Sequence, residues 1–205
     1  MALIGLSLLW PLPALADQLV RLAVMAAVLY LVARPALDFH VTQWAGSLAI
    51  GIVIFALWIA PDMLFPGYRH SFLFDNALLG AARSSMPEAA RHDLPVLWLR
   101  SLRAVIVVPM VEELFWRAWL MRWIIAPDFQ RVPLGAYSAR SFWMVALLFA
   151  SEHGAYWDVG LVAGILFNWW MIRTKSLGDL MLAHAVANAC LSAYVVAAGK
   201  WEYWL

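Results

Sequence analysis

Glu112 and Glu113 stand side by side in the run "VPMVEELFWRAWL", residues 108–120, with Arg117 one helical turn further on. The surrounding residues are apolar enough to lie in a membrane, where each ionised side chain costs at least ~2.5–3.5 kcal/mol on insertion scales. In a helix, Glu113 and Arg117 are four apart and share a face, so they can form an ion pair. Glu112 points about 100° away and has no partner of its own in that helix. Pro109, three residues before it, removes a backbone hydrogen bond and can kink the helix there. Two further polar groups interrupt apolar runs. "FASEHG" carries Glu152 and His153, with Phe149 four residues before the histidine. "LAHAVANA" carries His184 and Asn188 at the same spacing, among four alanines that let neighbouring helices approach closely.

Taken singly, these residues have ordinary explanations. Glu113 with Arg117 reads as a structural ion pair, Phe149 as core, Asn188 as a packing amide, and a lone membrane histidine as a helix–helix hydrogen-bonding group. A carboxylate, two imidazoles and a carboxamide on three separate apolar helices are harder to explain by packing. Together they could activate a water molecule and meet a developing negative charge. A carboxylate in a low-dielectric pocket is a stronger base than an exposed one and can activate water. Glu112 takes that role, and His153 can share the water and return a proton to the leaving amine. His184 and Asn188 can meet the developing oxyanion. Neither a Gly-x-Ser-x-Gly element nor a well-placed nucleophilic serine or cysteine is present. Cys190 reads as a small apolar filler. Metal hydrolysis is the competing chemistry, because Glu112, His153 and His184 make up a His₂Glu donor set. Against it, the usual His-Glu-x-x-His pairing on one helix is missing. A non-catalytic membrane partner or immunity protein, and a proton-coupled transporter using the same groups as a relay, are the alternatives from other classes. Transporters commonly carry internal repeats, and none is visible here.

The elements that must position these groups follow from composition. Of the 205 residues, 65% are hydrophobic and 13% charged, and mean hydropathy is +0.77. A soluble domain is nearer ~45–50% apolar and ~25% charged. Thirteen tryptophans fit a protein with two membrane–water interfaces. A net charge of +1 leaves no electrostatic footprint for nucleic acid, and a single cysteine excludes an internal disulfide or a cysteine-based zinc cluster. Backbone groups in lipid must be satisfied within their own segment, so the apolar runs are expected as helices. They fall at 2–16, 19–37, 44–60, 96–121, 141–156, 158–172 and 178–198. The expected fold is an all-α polytopic transmembrane bundle of about seven spans, range six to eight, with an intramembrane cavity. Residues 1–205 are read as one integral membrane domain, with 100–198 as its catalytic core. The opening "MALIGLSLLWPLPALADQ" mimics a signal peptide but lacks a basic start, so a first membrane helix is expected. The charged stretch 61–103 is expected as a surface loop plus an amphipathic helix lying on the membrane. Asp179 is expected to cap the last helix. Arg34, Arg122, Arg131, Arg140, Arg173 and Lys175 fall on one side of such a bundle, which the positive-inside tendency places in the cytoplasm.

The three motifs, Glu112-Glu113-x-x-x-Arg117, Phe149-x-x-x-His153 and His184-x-x-x-Asn188, resemble in type and order those of the CPBP family. That family comprises the CAAX proteases and bacteriocin-processing enzymes, also called Abi. The run "VPMVEELFWRAWLMRW" and the segment "TKSLGDLMLAHAVANACLSAYVVAAGKWEYW" are further similar to the bacterial CAAX prenyl protease-related subfamily associated with exosortase and PEP-CTERM systems. The resemblance implies an intramembrane glutamic endopeptidase that needs no metal or other cofactor and acts on a membrane-associated peptide or protein in a bacterial inner membrane. It implies catalytic roles for Glu112, His153, His184 and Asn188, and supporting roles for Glu113, Arg117 and Phe149. Ala118 departs from a glycine that is frequent after the motif-one arginine, a change expected to touch helix packing and not chemistry.

Overall fold

A computed structural model of the chain describes residues 12–77 and 80–204. Six helices account for the apolar runs: α1 (Ala14–Ala36), α2 (Trp44–Leu64), α3 (Leu94–Trp123), α4 (Ala139–Ser151), α5 (Trp157–Thr174) and α6 (Leu177–Ala198). Among the described residues there is no β-strand. Residues 2–11 of the expected run at 2–16 lie outside the described residues, and its last three residues begin α1. Four helices, α1, α2, α3 and α6, are long and apolar enough to cross a membrane by length and composition; α4 is a shorter apolar helix. The protein is an integral membrane protein with an all-helical polytopic fold. Many apolar side chains on the outside of the bundle are bare, including Leu31, Val53, Ile106 and Leu147. That is the surface expected where lipid takes the place of water.

The helices alternate in direction, so their connections collect at two ends. The 37–43, 124–138 and 175–176 links share one end. There the Ser176 hydroxyl donates to the His40 carbonyl. The 65–93 and 152–156 links and the segment after α6 share the other, where Arg69 reaches Asp158 and the Ala155 carbonyl. The six basic residues grouped on one side by the sequence lie at the first end, and the long 65–93 loop lies at the second.

Helix α6 is the central staff. It packs most extensively against α2, while α4 and α5 form a second close pair. Gly51 makes the α2–α6 contact possible, since a Cβ there would sit 2.5 Å from the Ala183 carbonyl oxygen and 2.7 Å from Val186. Asp179 behaves differently from its expected role. Ser176 caps α6 by accepting from the Asp179 N–H at 3.1 Å. The Asp179 carboxylate is fully buried and turned across the bundle. It accepts from the Thr42 and Gln43 amides at 2.9 and 2.7 Å, and from the Thr42 and Ser47 hydroxyls. The exposed amides at the start of α2 need acceptors, and a carboxylate at a helix start is also favoured by the dipole.

The 61–103 stretch is likewise reorganised. No helix lies flat on the membrane there among the described residues. "LPVLWLR" forms the first turns of α3, which Asp93 caps by accepting from the Val96 amide. The stretch before it is a loop with two short 3₁₀ turns, Tyr68–His70 and Glu88–His92.

Helix α3 is not a regular α-helix. It widens into π-helical geometry at Arg103–Val107 and again at Leu114–Leu120, on either side of the α-helical Val108–Glu113 segment. Pro109 lies just after the first widening, in keeping with the irregularity expected there. Such bulges re-aim side chains within a helix and recur at functional sites.

Candidate active site

A cavity of about 270 Å³ runs into the bundle from the end that carries the 65–93 loop. Glu112, His153, His184 and Asn188 all line it, as does Phe149. Three elements supply the polar groups: α3, the turn after α4, and α6. Apolar walls from α2, α5 and α6 enclose them, with Trp58, Tyr156, Tyr203 and Trp204 nearer the mouth. The Glu112 side chain keeps 28% of its exposure, so it opens on the cavity while its neighbour does not.

Glu113 is the hub behind the cavity. It and Arg117 are fully buried. Arg117 Nη1 donates to both Glu113 carboxylate oxygens, at 3.1 and 2.9 Å, which is the expected i,i+4 pair. The same carboxylate also holds His184: Nδ1 lies 2.6 Å from Glu113 Oε1. A carboxylate that pairs with Arg117 is an acceptor only, so His184 Nδ1 carries the hydrogen. This fixes the ring and turns Nε2 toward Glu112, 4.0 Å from Oε2. That gap is too long for a direct hydrogen bond. An oxygen atom about 2.8 Å from each group would fit at the apex of a bent bridge.

Arg117 is held from its other side by Asn168 of α5. Arg117 Nε donates to Asn168 Oδ1 at 3.0 Å, and Asn168 Nδ2 donates to the Phe142 carbonyl at 2.8 Å. The guanidinium also lies over the Phe149 ring, 4.7 Å to its centroid, and 5.3 Å from the Phe167 centroid. The Phe167 ring in turn stacks on His184 at 4.7 Å. A charge in low dielectric needs such surroundings. The sequence reading missed Asn168, although its signal was the one used for the other groups, a polar side chain within an apolar helix.

His153 sits just past the end of α4, in the turn and not within a span. Its Nδ1 donates to the Phe149 carbonyl at 2.7 Å. Nε2 is then the ring's acceptor nitrogen. Phe149 at 4.7 Å and the edge of Trp58 at 5.2 Å hold the ring in place. Gly160 leaves room beneath it, since a Cβ there would meet three imidazole-side atoms at 3.2 Å. Glu152, beside it, is exposed and belongs to the surface.

Asn188 has one amide hydrogen already engaged, since Nδ2 donates to the Ala104 carbonyl at 2.7 Å. The reason lies in α3. In the π-helical stretch the Val108 amide reaches back five residues to the Arg103 carbonyl. The next carbonyl, Ala104, would take the amide of residue 109, but Pro109 has none. Asn188 fills that place, so the proline bonds α3 to α6 through the carbonyl it leaves open. The second N–H of Asn188 and its oxygen are not part of this bond. Ser192, one turn further along α6, also lines the cavity. Cys190 does not line the cavity. Among the described residues no group of three or more His, Cys, Asp and Glu side chains is arranged to hold a metal ion.

Residues 94–190, carrying all three motifs, match the family described as Rce1-like, type II CAAX prenyl endopeptidase. The matched segment is a little under half of the chain and runs from the start of α3 into α6. It supports the CAAX protease family and an intramembrane CAAX-type endopeptidase activity. No curated protein and no solved structure matches the chain.

Proposed function

We propose that this protein is an intramembrane glutamic endopeptidase of a bacterial inner membrane, cutting a membrane-associated protein or peptide with water activated by Glu112 and His153. The observation that carries the reading is the opening of Glu112, His153, His184 and Asn188 on one cavity, with Glu113 and Arg117 fixing His184 from behind. In this reading the water donates to the Glu112 carboxylate and to the acceptor Nε2 of His153. Its oxygen attacks the carbonyl carbon as Glu112 takes a proton. The carbonyl oxygen becomes an oxyanion met by the side chains of His184 and Asn188, the latter through its second N–H. The C–N bond then breaks, and the departing amine takes its proton from Glu112 or through His153. Glu113 accepts from His184 Nδ1 and so holds the ring with Nε2 turned toward the reacting groups. Glu112 lies nine residues along α3 from Arg103 at the mouth end. A substrate therefore has to thread an extended segment into the bundle, which suits a flexible tail near a membrane anchor. A membrane-anchored tail of the kind handled by exosortase and PEP-CTERM systems is the substrate class proposed, and the segment 100–198 is proposed as the catalytic core.

The test is a comparison of protein termini in membranes from cells carrying wild-type protein or the Glu112→Gln variant. Uncut precursors that accumulate only with the variant are the expected result. Equal processing in both would remove Glu112 from the role of base. With an identified substrate, cleavage by purified protein in strong chelator separates water activation by glutamate from metal hydrolysis. Full activity is expected, and a loss restored by zinc would move the chemistry to a bound metal.

A further inference from the structure

A second cavity, of about 690 Å³, lies at the mouth end of the bundle. Its walls come from the end of α2, the 65–93 loop, α6 and the segment after it. Among the described residues, Tyr156 and Tyr203 line both this outer cavity and the catalytic one. Both are buried, and their ring centroids are 5.2 Å apart. They therefore stand as a wall shared by the two cavities. The wall is fastened on its outer side. Tyr203 donates to Asp62 Oδ2 at 3.0 Å, and Arg69 Nε donates to the same oxygen at 3.0 Å. On its inner side, ring contacts lead to the histidine of the second motif. Tyr156 stacks on Trp58 at 6.3 Å, and Trp58 meets His153 at 5.2 Å.

The outer cavity differs in chemistry from the inner one. It is lined by Asp62, Asp75 and Glu202 and by Arg69, Arg83 and Lys200, so the formal charges of these groups cancel. Tyr68 and Tyr194 add ring surface. Tyrosine gives contact area at little cost in side-chain entropy. Such a lining is too polar for an acyl chain and has no positive excess for a lipid phosphate. A polypeptide suits it, because its amides both donate and accept and its side chains carry either charge. The distance fits as well. An extended chain rises ~3.3 Å per residue, so about five residues cover the ring path from His153 through Trp58 and Tyr156 to Tyr203.

We propose that the outer cavity is a second peptide-binding site, holding the polar segment of the substrate that lies about five residues from the scissile bond, beyond the Tyr156–Tyr203 wall. The inference rests on the peptidase reading of the inner cavity and adds where the uncut chain is gripped. The inner cavity carries out the chemistry on a few residues. The outer one selects a substrate whose polar segment is long enough to cross the wall.

Photocrosslinking in native membranes tests it. The full chain with Glu112→Gln, which should hold substrate uncut, would carry p-benzoylphenylalanine in place of His70 or of Arg83, both exposed and both lining the outer cavity. The same label in place of Tyr137, exposed at the opposite end of the bundle, is the control. After irradiation, mass spectrometry should find the label at His70 or Arg83 joined to peptide segments a few residues from the termini that stay uncut in Glu112→Gln membranes. Crosslinks to lipid alone, or none above the Tyr137 control, would overturn the proposal whatever the precursors show. Peptide crosslinks beside normally processed termini, with no precursor accumulating, would keep the outer site and remove only Glu112 from the role of base. The captured substrate, made as a membrane-anchored peptide, is then given to unlabelled wild-type protein in vesicles. Shortening its polar side from about ten residues to about four should raise KM roughly tenfold with kcat little changed, the mark of lost uniform binding. Equal KM for the two lengths would also overturn the proposal.

Discussion

Two arginines in this protein are each anchored by carboxylates and aromatic rings, Arg117 by one carboxylate and Arg69 by two, and they serve different ends. Arg117 is fully enclosed in the bundle, with Glu113, Asn168 and two phenylalanine rings around it. Arg69 sits in the loop at the mouth end, bonded to Asp62, Asp158 and the Ala155 carbonyl, with its guanidinium 4.0 Å from the Tyr156 ring centroid. Its two carboxylate partners are 24% and 16% exposed. Burial opposes the charge on Arg69, but the hydrogen bond and charge of Asp158 outweigh it and hold the guanidinium above its ordinary proton affinity. Both networks join a guanidinium to carboxylate and aromatic ring, yet only the first passes its carboxylate on to a histidine that faces the cavity. Arg69 joins the loop to the α4–α5 turn and so helps hold the mouth in shape. The difference is one of supply. Glu113 serves two partners, and His184 receives what Arg117 leaves available.

The comparison is most exposed to substitution at Arg117. Arg117→Ala leaves Glu113 buried without its guanidinium, and breaking such a pair is expected to cost about 3–5 kcal/mol. Thermal unfolding in detergent should show a large drop, and an unchanged midpoint would mean that the buried pair carries little of the fold. Arg69→Ala should cost less, about 1–3 kcal/mol, because water can reach the carboxylates it leaves behind. Its effect should be local, read as faster proteolysis within 65–93 while the helices stay protected. A global loss as large as that of Arg117→Ala would erase the distinction between the two networks. Asn168→Leu is the finest of the three. It removes one acceptor from Arg117 and one donor from the Phe142 carbonyl, and is expected to lower stability by about 1–2 kcal/mol. Activity should fall with it, since the guanidinium that fixes Glu113 loses its second anchor. Stability loss at full activity would place Asn168 outside the positioning chain.

What could be read from the chain before its structure follows the same division. The Glu113–Arg117 pair and the Phe149–His153 ring contact were legible because four residues make about one helical turn. The helical fold was legible because lipid leaves a backbone few other choices. The motif residues were recognisable as a set, but the bond from His184 to Glu113 spans 71 positions and no local spacing announces it. Asp179 looked like a cap for its own helix and instead caps α2, because Ser176 already filled the nearer place. Arg69 pairs with Asp158 across 89 positions, and the loop that carries it had only composition to describe it. The turn that holds His153 was read as part of a span, since hydropathy alone does not mark where α4 stops.

The central claim is that Glu112 activates water in a site that the rest of the network holds ready. Wild-type protein and Glu112→Gln, reconstituted in the same vesicles with the same membrane-anchored peptide, test it most directly, with helix content and melting midpoint measured alongside. A folded Glu112→Gln variant whose cleavage falls by about a thousandfold or more is the predicted result. Cleavage by that variant at the wild-type rate would contradict the account.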